Sequence, residues 1–563
     1  MSPTLRILTL AVILLLSPFL LASRPVDAGP SGWEQPTILT EDIHIDGHPS
    51  LSHAKDGKVW LAWSKYLWDE SNTEIYYKTY DGNSWTSEAR LTNDPSQDNS
   101  PTVLNLANGT VVIVWSSNRS GNFDIYLARI DDGANPETVN LTDDVDKARG
   151  TKHDEAPAVV ETKEAVWVFW QRCTGPGCPL NGDTDIYYRQ YRGGAWVSEQ
   201  PAVVGSQSDS LVSAAAAKDG MIWLAWSRQQ DNIFYKTNGG NGWSPEQQAT
   251  SSPEADLSPN IFIARDGTVW LFWTRLYDRG KSQSDLFYAT KNNGVFTPEI
   301  RLTDTQFDEL QATVSHGPDR RIWVAYRTNN NPSDTWDLAL TRSIQPILAH
   351  DVAISSVEHQ TSRTRQGENV TLMVEVTNLG DWDETVTVTA YADIRPDVDL
   401  DGDVDVDDLM RTYLAQYGND PQFDIDLDDD IDMSDIVEVY LSSYTDPRIP
   451  VGTVTTTLPS GTSTQLSFHW TTKMVAMRPY NLIAQVEPVA NESLGNTGDN
   501  QESGGTLQVL RPEDVDLDRD IDLDDLIAVY LSIYTGDGRY DVDMDGDVDL
   551  SDLVQVHLAR HTY

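Results

Sequence analysis

Cysteine is almost missing: Cys173 and Cys178 are the only two in 563 residues. So few thiols exclude a disulfide framework, and the stretch RCTGPGCPL offers zinc no further ligand. Because the pair brackets a Gly/Pro turn, we read it as a disulfide that staples one loop. Basic charge is scarce as well, with 40 Lys and Arg against 87 Asp and Glu and a net charge of −47. Phosphate backbones and anionic lipid are repelled, which argues against nucleic-acid binding and polybasic anchoring and makes cations the natural partners. Long apolar runs are also lacking, apart from ILTLAVILLLSPFLLA near the start. That run holds Pro18 and is shorter than the ~20 residues a span needs. Arg6 precedes it and Val26-Asp27-Ala28 follows, so residues 1–28 read as an export signal, with no membrane span and a secreted or cell-surface destination.

What is present is apolar material for several cores, 39% of the chain with 18 Trp, and a length that implies three or four domains. Residues 29–345 repeat with a period near 52. A strand-like motif recurs as VWLAW, VIVW, VWVFW, IWLAW, VWLFW and IWVAY, its second aromatic at 63, 115, 170, 226, 273 and 326. D-G or N-G turns precede four copies, and EIYYK-type strands follow each. Six four-stranded antiparallel meanders set radially are a β-propeller. The last unit lacks its outer strand, whereas GWEQPTILTEDIHIDGHPS matches the outer strand of unit one. The N-terminal segment is therefore expected to complete blade six and close the ring. LTNDPSQDNSPTVLNLANGTVVIVWSSNRSGNFDIYLARIDDG resembles a blade of the Tol-type, WD-repeat-like six-bladed propellers. The turns DGNSW and NGGNGW are similar to those of bacterial sialidase repeats, although the full Asp box and the F-R-I-P arginine motif are absent.

Each unit places an Asp before its first strand, at 46, 98, 154, 209, 256 and 308. Four units carry a cation two residues after the second aromatic: Lys65, Arg172, Arg228 and Arg275. Both positions fall at the same end of an antiparallel meander, so carboxylates and cations share one face. Two readings stand: a binding face for a sugar or anion, with Trp68, Arg172, Arg228, Arg275, Tyr277 and Arg279 as ligand contacts, or repeated salt bridges of the scaffold. No catalytic residue is assigned.

Residues 349–395 and 449–510 alternate as strands do, in VTLMVEV, TVTVTAY and LSFHW. With GENVT, TNLG and LPSGTSTQLSFHW they resemble the cell-adhesion-related bacterial domain, which implies a seven-stranded immunoglobulin-like sandwich acting as spacer or adhesion module.

Two acidic blocks, at 396–448 and 511–563, carry four loops: DVDLDGDVDVDD, DIDLDDDIDMSD, DVDLDRDIDLDD and DVDMDGDVDLSD. Hard divalent cations take oxygen ligands from positions 1, 3, 5, 9 and 12 of such a loop. Here these are Asp397, Asp399, Asp401, Asp405 and Asp408; Asp424, Asp426, Asp428, Asp432 and Asp435; Asp514, Asp516, Asp518, Asp522 and Asp525; and Asp541, Asp543, Asp545, Asp549 and Asp552. Position 7, which gives its carbonyl, is Asp403, Asp430, Asp520 and Asp547. Each loop runs into a helical pattern, DLMRTYLAQY, DIVEVYLSSY, DLIAVYLSIY or DLVQVHLARH, whose apolar residues form one stripe. Loop and helix, twice over, resemble the dockerin module, with Asp at position 12 in place of the EF-hand Glu. Position 6 is Gly402 and Gly546 in two loops but Asp429 and Arg519 in the others, where a positive φ costs more.

The fold expected is thus mainly β and multi-domain: a six-bladed β-propeller, an immunoglobulin-like β-sandwich and two small helical EF-hand-like, dockerin-like modules. About four Ca²⁺ ions are the expected cofactors. The dockerin resemblance implies attachment to a cohesin-like or surface scaffold protein. The propeller is read as binding a glycan or protein, with a dockerin-borne glycoside hydrolase or lyase as one alternative and a purely structural surface protein as the other.

Overall fold

A computed structural model of the protein describes residues 32–130, 138–142, 152–174, 178, 183–240, 242–277, 283–291, 294–330, 335–394, 406–415, 431, 433–442, 448–473, 475–493 and 496–560. Residues 1–28, read above as an export signal, Arg279 and most of the first acidic block lie outside them. Among the described residues no helix is long and apolar enough to cross a membrane.

From Thr37 to Arg342 the strands form six antiparallel sheets. In the first, Ile45–His53 pairs with Val59–Leu67, then come Asn72–Tyr80 and Ala89–Arg90. The six innermost strands are Ile45–His53, Asp98–Asn105, Lys152–Glu161, Asp209–Ala216, Ala255–Ile263 and Glu309–His316. Each lies beside the next and the last lies beside the first, so the sheets close into a six-bladed propeller around a channel of about 470 Å³. Trp63, Trp115, Trp170, Trp226 and Trp273 fill the blades, with Tyr326 in the sixth. The Thr of each outer strand holds the third strand in place: Thr92, Thr142, Thr250, Thr303 and Thr40 accept the amides of Ile75, Ile125, Ile233, Leu286 and Leu338.

The ring closes as its sequence implied. Thr37–Ile38 is the outer strand of blade six, Thr37 opposite Leu340 and Ile38 opposite Ala339. Trp33 sits beside Ser343 and packs edge-on against Trp270, Phe272 and Tyr288.

A feature that composition did not announce is a bulge in every inner strand. Its residue lies in the left-handed region, at His48, Ser100, Ala156, Leu211, Ser258 and Gln311, and none of the six is glycine. Side chains of the preceding blade hold several of these amides: Ser116 accepts from Ala156, Gln171 from Leu211 and Thr274 from Gln311.

The next unit is two sheets face to face. One orders Val352–His359, Asn369–Asn378 and Ser463–Thr471; the other orders Arg363–Arg365, Gln501–Leu510, Pro479–Val486, Glu384–Ile394 and Arg448–Leu458. Val374, Val376, Val388, Leu482 and Val486 meet between them. The short Arg363–Arg365 strand, parallel to Gln501–Leu510, brings the count to eight where seven were expected. Asp393 pairs with Arg448, so the first acidic block is an excursion from one β-hairpin. Its helices α1 (Val406–Ala415) and α2 (Met433–Ser442) touch each other and send Leu409 and Val439 into the sandwich core.

Basic residues on the inner hairpin turns of four blades meet the sandwich. Lys218 pairs with Asp351, Arg320 with Asp381 at 2.8 Å and Arg265 with Asp381 at 3.4 Å, while Lys163 donates to the Gly498 carbonyl at 3.2 Å. The sandwich therefore covers the turn end of the propeller and leaves the end bearing the repeated carboxylates on the opposite side. Helices α3 (Leu523–Ser532) and α4 (Leu550–Ala559) form a small C-terminal unit around Val529, Val542 and Val556. Arg363 ties it to the sandwich by donating to the Leu517 carbonyl at 2.6 Å.

Candidate functional site

The repeated carboxylates and cations do converge on one face, but as internal partners. Arg172 forks both oxygens of Asp154 at 2.7 and 2.8 Å and those of Glu199 at 2.6 and 2.8 Å. Arg275 holds Asp256 at 2.7 and 3.0 Å and Glu299 at 2.5 and 2.6 Å. Arg228 holds Asp209 at 2.7 Å and Glu246 at 2.8 Å, and Lys65 holds Asp42 and Glu88, both at 2.7 Å. Only 2% of Arg172 and 5% of Arg275 is exposed. Of the two readings of this face, the geometry is that of repeated scaffold salt bridges: the donors of Arg172, Arg228 and Arg275, ligand contacts in the other reading, already bind carboxylates, the arrangement a buried guanidinium requires.

The second carboxylate of each pair escaped the sequence reading, although a signal was there. Trp85, Trp196, Trp243 and Phe296 are each followed three residues later by Glu88, Glu199, Glu246 or Glu299, in the same four blades that carry the cation. In blade two Arg119 fills the role from two residues further on, at 2.7 Å from Asp98 and 2.8 Å from Asp94.

Blade six departs from the pattern. Strand register puts Glu309 opposite Thr328 as Asp154 is opposite Arg172, so the repeated carboxyl there is Glu309 and not Asp308. Among the described residues Glu309 pairs with no cation. It accepts from Thr305 Oγ1 at 2.5 Å, its Oε2 is buried without a partner, and burial pushes its pKa up to about 8. Asp46, which accepts from Trp63 Nε1 at 2.8 Å, is pushed up to about 7 by burial against the opposing pull of Lys65.

Trp68 is 53% exposed; its Nε1 donates to the Ile43 carbonyl at 2.9 Å and its ring stands edge-on to Tyr66. Tyr277 is half-buried beneath the Arg301 guanidinium, 5.5 Å from ring centre, and burial raises its phenol pKa. Cys173 and Cys178 form the disulfide, with Cα atoms 5.7 Å apart.

In the C-terminal unit the first, third and last residues of each loop converge: Asp514, Asp516 and Asp525 in one, Asp541, Asp543 and Asp552 in the other, with carboxylate oxygens within 4.8 Å of one another. Backbone geometry creates the convergence. Asp525 accepts from the amides of Val515 at 2.7 Å and Asp522 at 2.8 Å; Asp552 accepts from Val542 at 2.6 Å and Asp549 at 2.8 Å. The sixth residue turns at positive φ in both, 107° at Gly546 and 86° at Arg519, and its amide donates to the first Asp of its loop. Asp522 and Asp549 cap α3 and α4. Oδ1 of Asp514 is buried with no partner, and burial together with the Asp525 charge pushes its pKa up to about 6. A hard divalent cation fits this set, since it needs several oxygens and removes the repulsion among them.

In the first acidic block Asp408 and Asp435, the last loop residues, are buried at the helix starts. Asp397, Asp399, Asp401, Asp403, Asp405, Asp424, Asp426, Asp428, Asp430 and Asp432 lie outside the described residues.

The helices correct one expectation. The stripe read at offsets 0, 1, 4, 5 and 8 from the first Leu or Ile is not the inward face. Leu526 and Leu553 turn inward together with Val529 and Val556, which lie outside that stripe, whereas Ile527, Tyr530, Leu531, Val554 and Leu558 are 45–60% exposed. The same outward residues recur on α1 and α2 as Met410, Tyr413, Val437 and Tyr440.

No family model and no curated protein matches the chain. Among solved structures, a protein of unknown function from Dyadobacter fermentans is similar with a TM-score of 0.45 and 15% identity, over 56% of this chain and 100% of that one. The Hadza microbial sialidase Hz136 gives 0.41 and 12%, over 53% and 66% of the two chains, and Trypanosoma rangeli sialidase 0.40 and 12%, over 63% and 74%. The propeller assignment rests on the strand pairing of this chain itself.

Proposed function

We propose that the protein is a secreted or surface-associated binding protein whose acidic loops take up Ca²⁺ and whose propeller holds a glycan or protein ligand. The observation that carries the first half is the convergence of Asp514, Asp516 and Asp525, with the unpartnered Asp514 oxygen among them, and of Asp541, Asp543 and Asp552 in the other loop. These residues would hold one ion per loop, and the ion would neutralise carboxylates that otherwise repel one another. By their spacing the loops of the first block are proposed to do the same, giving four sites.

Fixed in this way, α3 and α4 would offer their outward apolar residues to a partner. The dockerin resemblance makes that partner a cohesin-like or surface scaffold protein. For the propeller, binding is favoured over hydrolysis. A glycosidase needs accessible carboxyls about 5–10 Å apart, whereas Asp46, Asp98, Asp209 and Asp256 are 0% exposed and Glu309 is 2% exposed.

Equilibrium dialysis of the whole chain against ⁴⁵Ca²⁺ tests the reading, with about four ions bound as the expected result. Absence of uptake at millimolar calcium sinks it, and release of reducing ends from a polysaccharide would favour the hydrolase.

A further inference from the structure

Arg327 breaks the sixfold pattern on the carboxylate face. One residue past the second aromatic, the blades carry Ser64, Ser116, Gln171, Ser227, Thr274 and Arg327. Three of these neutral side chains serve the next blade by accepting its bulge amide, at 3.1 Å for Ser116, 2.9 Å for Gln171 and 3.0 Å for Thr274. Where blade six meets blade one the task passes to Gln311, whose Oε1 accepts from His48 N at 3.0 Å. Arg327 is left without it.

The arginine also has room that no other blade would give. It runs beside Gly47, where an added Cβ would lie 3.7 Å from its Cδ and Nε. The other blades have Asn99, Glu155, Ser210, Leu257 and Leu310 at that register position. The guanidinium lies 4.1 Å from the ring centre of Trp336. Among the described residues it forms no ion pair, and its Nε is buried without a hydrogen-bond partner. The other arginines at this end of the blades, Arg119, Arg172, Arg228 and Arg275, all grip carboxylates.

Trp68 and Trp336 are tied to one backbone segment. The Trp336 carbonyl accepts from Asp46 N at 2.9 Å, and Trp68 donates to the carbonyl of Ile43, three residues earlier. Three residues of chain reach at most about 10 Å, so the two hydrogen-bonded backbone atoms lie within that distance. With its indole N–H occupied, exposed Trp68 offers only a flat apolar face, suited to stacking on the C–H face of a sugar.

We infer that Arg327, backed by Trp336 and with Trp68 anchored on the neighbouring Ile43–Asp46 segment, forms a subsite for the oxyanion of an acidic saccharide, a uronate carboxylate or a sugar sulfate. A planar fork that grips no carboxylate among the described residues is the group that binds either oxyanion through two hydrogen bonds. The inference rests on the reading of the propeller as a glycan binder and adds the substrate class.

Calorimetric titration of the calcium-loaded full chain with trigalacturonate, a sulfated galactotriose and neutral galactotriose tests it. One acidic sugar should bind at least tenfold tighter than the neutral one, and which one does so separates carboxylate from sulfate. Arg327→Gln should erase that preference while neutral binding persists, and Trp68→Ala should weaken acidic and neutral sugars alike. Arg327→Lys, which keeps the charge and loses the fork, should retain part of the preference and carries the test if the Gln variant does not fold. Equal affinity for acidic and neutral sugars, or a preference untouched by Arg327→Gln, overturns the subsite and leaves the glycan binder standing. Binding of an oligoglutamate in place of all three sugars, or of none of them, overturns the glycan reading itself.

Discussion

Met544 fills, with its Sδ and Cε, the space that a Cβ on Gly367 would need. Met544 is the fourth residue of the last acidic loop and Gly367 lies at the edge of the sandwich, at φ 101°. The contact joins a candidate calcium loop to a rigid β-domain. Gly367→Ala should therefore loosen the docking of the C-terminal unit and weaken calcium binding in the last loop by up to about tenfold. Limited proteolysis between residues 511 and 560 and calcium titration would show it. Adding Met544→Ala should recover only part of the loss, since the strain of a Cβ at φ 101° remains, and equal protease resistance in Gly367→Ala and wild type would count against the coupling.

Calcium removal should act on the same unit through charge. The two C-terminal loops carry thirteen carboxylates. Their small core, centred on Val529, Val542 and Val556, has little apolar surface with which to offset that repulsion. Chelation is expected to lower the 222 nm circular dichroism signal of the full chain and leave the β-rich remainder folded. Helix signal unchanged in chelator would contradict it.

Removing Arg172 separates scaffold from ligand site. Arg172→Met leaves Asp154 and Glu199 without their cation, and breaking a buried pair of this kind costs about 3–5 kcal/mol. Denaturant unfolding should register that loss, while saccharide affinity of the folded fraction stays unchanged. A stable variant that no longer binds sugar would return Arg172 to the ligand face.

Stability should fall as pH rises through the neutral range, because of Glu309. Its carboxyl keeps a proton in the folded state up to about pH 8 but would lose it near 4.5 when unfolded. Between those values the unfolded chain binds fewer protons, so folding loses on the order of 4 kcal/mol across the window, fully lost above it. Asp46 adds a smaller term of the same sign, between 3.8 and about 7. Glu309→Gln should flatten the dependence of melting temperature on pH and melt higher than wild type at pH 8.5. Parallel curves for the two proteins would refute the assignment.

Trp33 anchors the closing segment with 6% of its surface exposed. Trp33→Ala should cost about 3–5 kcal/mol, and deletion of residues 32–40 should expose the Asp337–Arg342 edge and cause aggregation. A soluble deletion protein with an unchanged melting temperature would show that the ring holds without that strand.

The propeller was legible because its signals are periodic. The second aromatic at 63, 115, 170, 226, 273 and 326 marks one buried position per blade, and the turn glycines mark the hairpins. Pairing of the repeated Asp and cation was one of two readings of the same pattern, but the second carboxylate was not legible, since Glu199 was not recognised as a further partner of Arg172. The left-handed bulges were hidden because His48, Leu211 and Gln311 give no hint of positive φ; the neighbouring blade imposes it. In the acidic blocks the Asp spacing could be read directly, whereas Ile527 and Tyr530 differ from Leu526 and Val529 only in rotation about the helix axis. Arg327 became visible as an exception only when strand register aligned it with five neutral residues.

The closing strand also sets an order of events. Thr37 is made 303 residues before its partner Leu340. At the usual pace of synthesis that separates them by about 15–60 s. Blades one to five can each form a meander as they emerge, but blade six must wait for both ends of the propeller. Until then a nascent chain carries an unpaired N-terminal segment and a bare sheet edge, both open to capture by another copy. Any delay between Asp337 and full release would therefore favour exchange of residues 32–40 between molecules, a built-in route by which the chain could pair with itself.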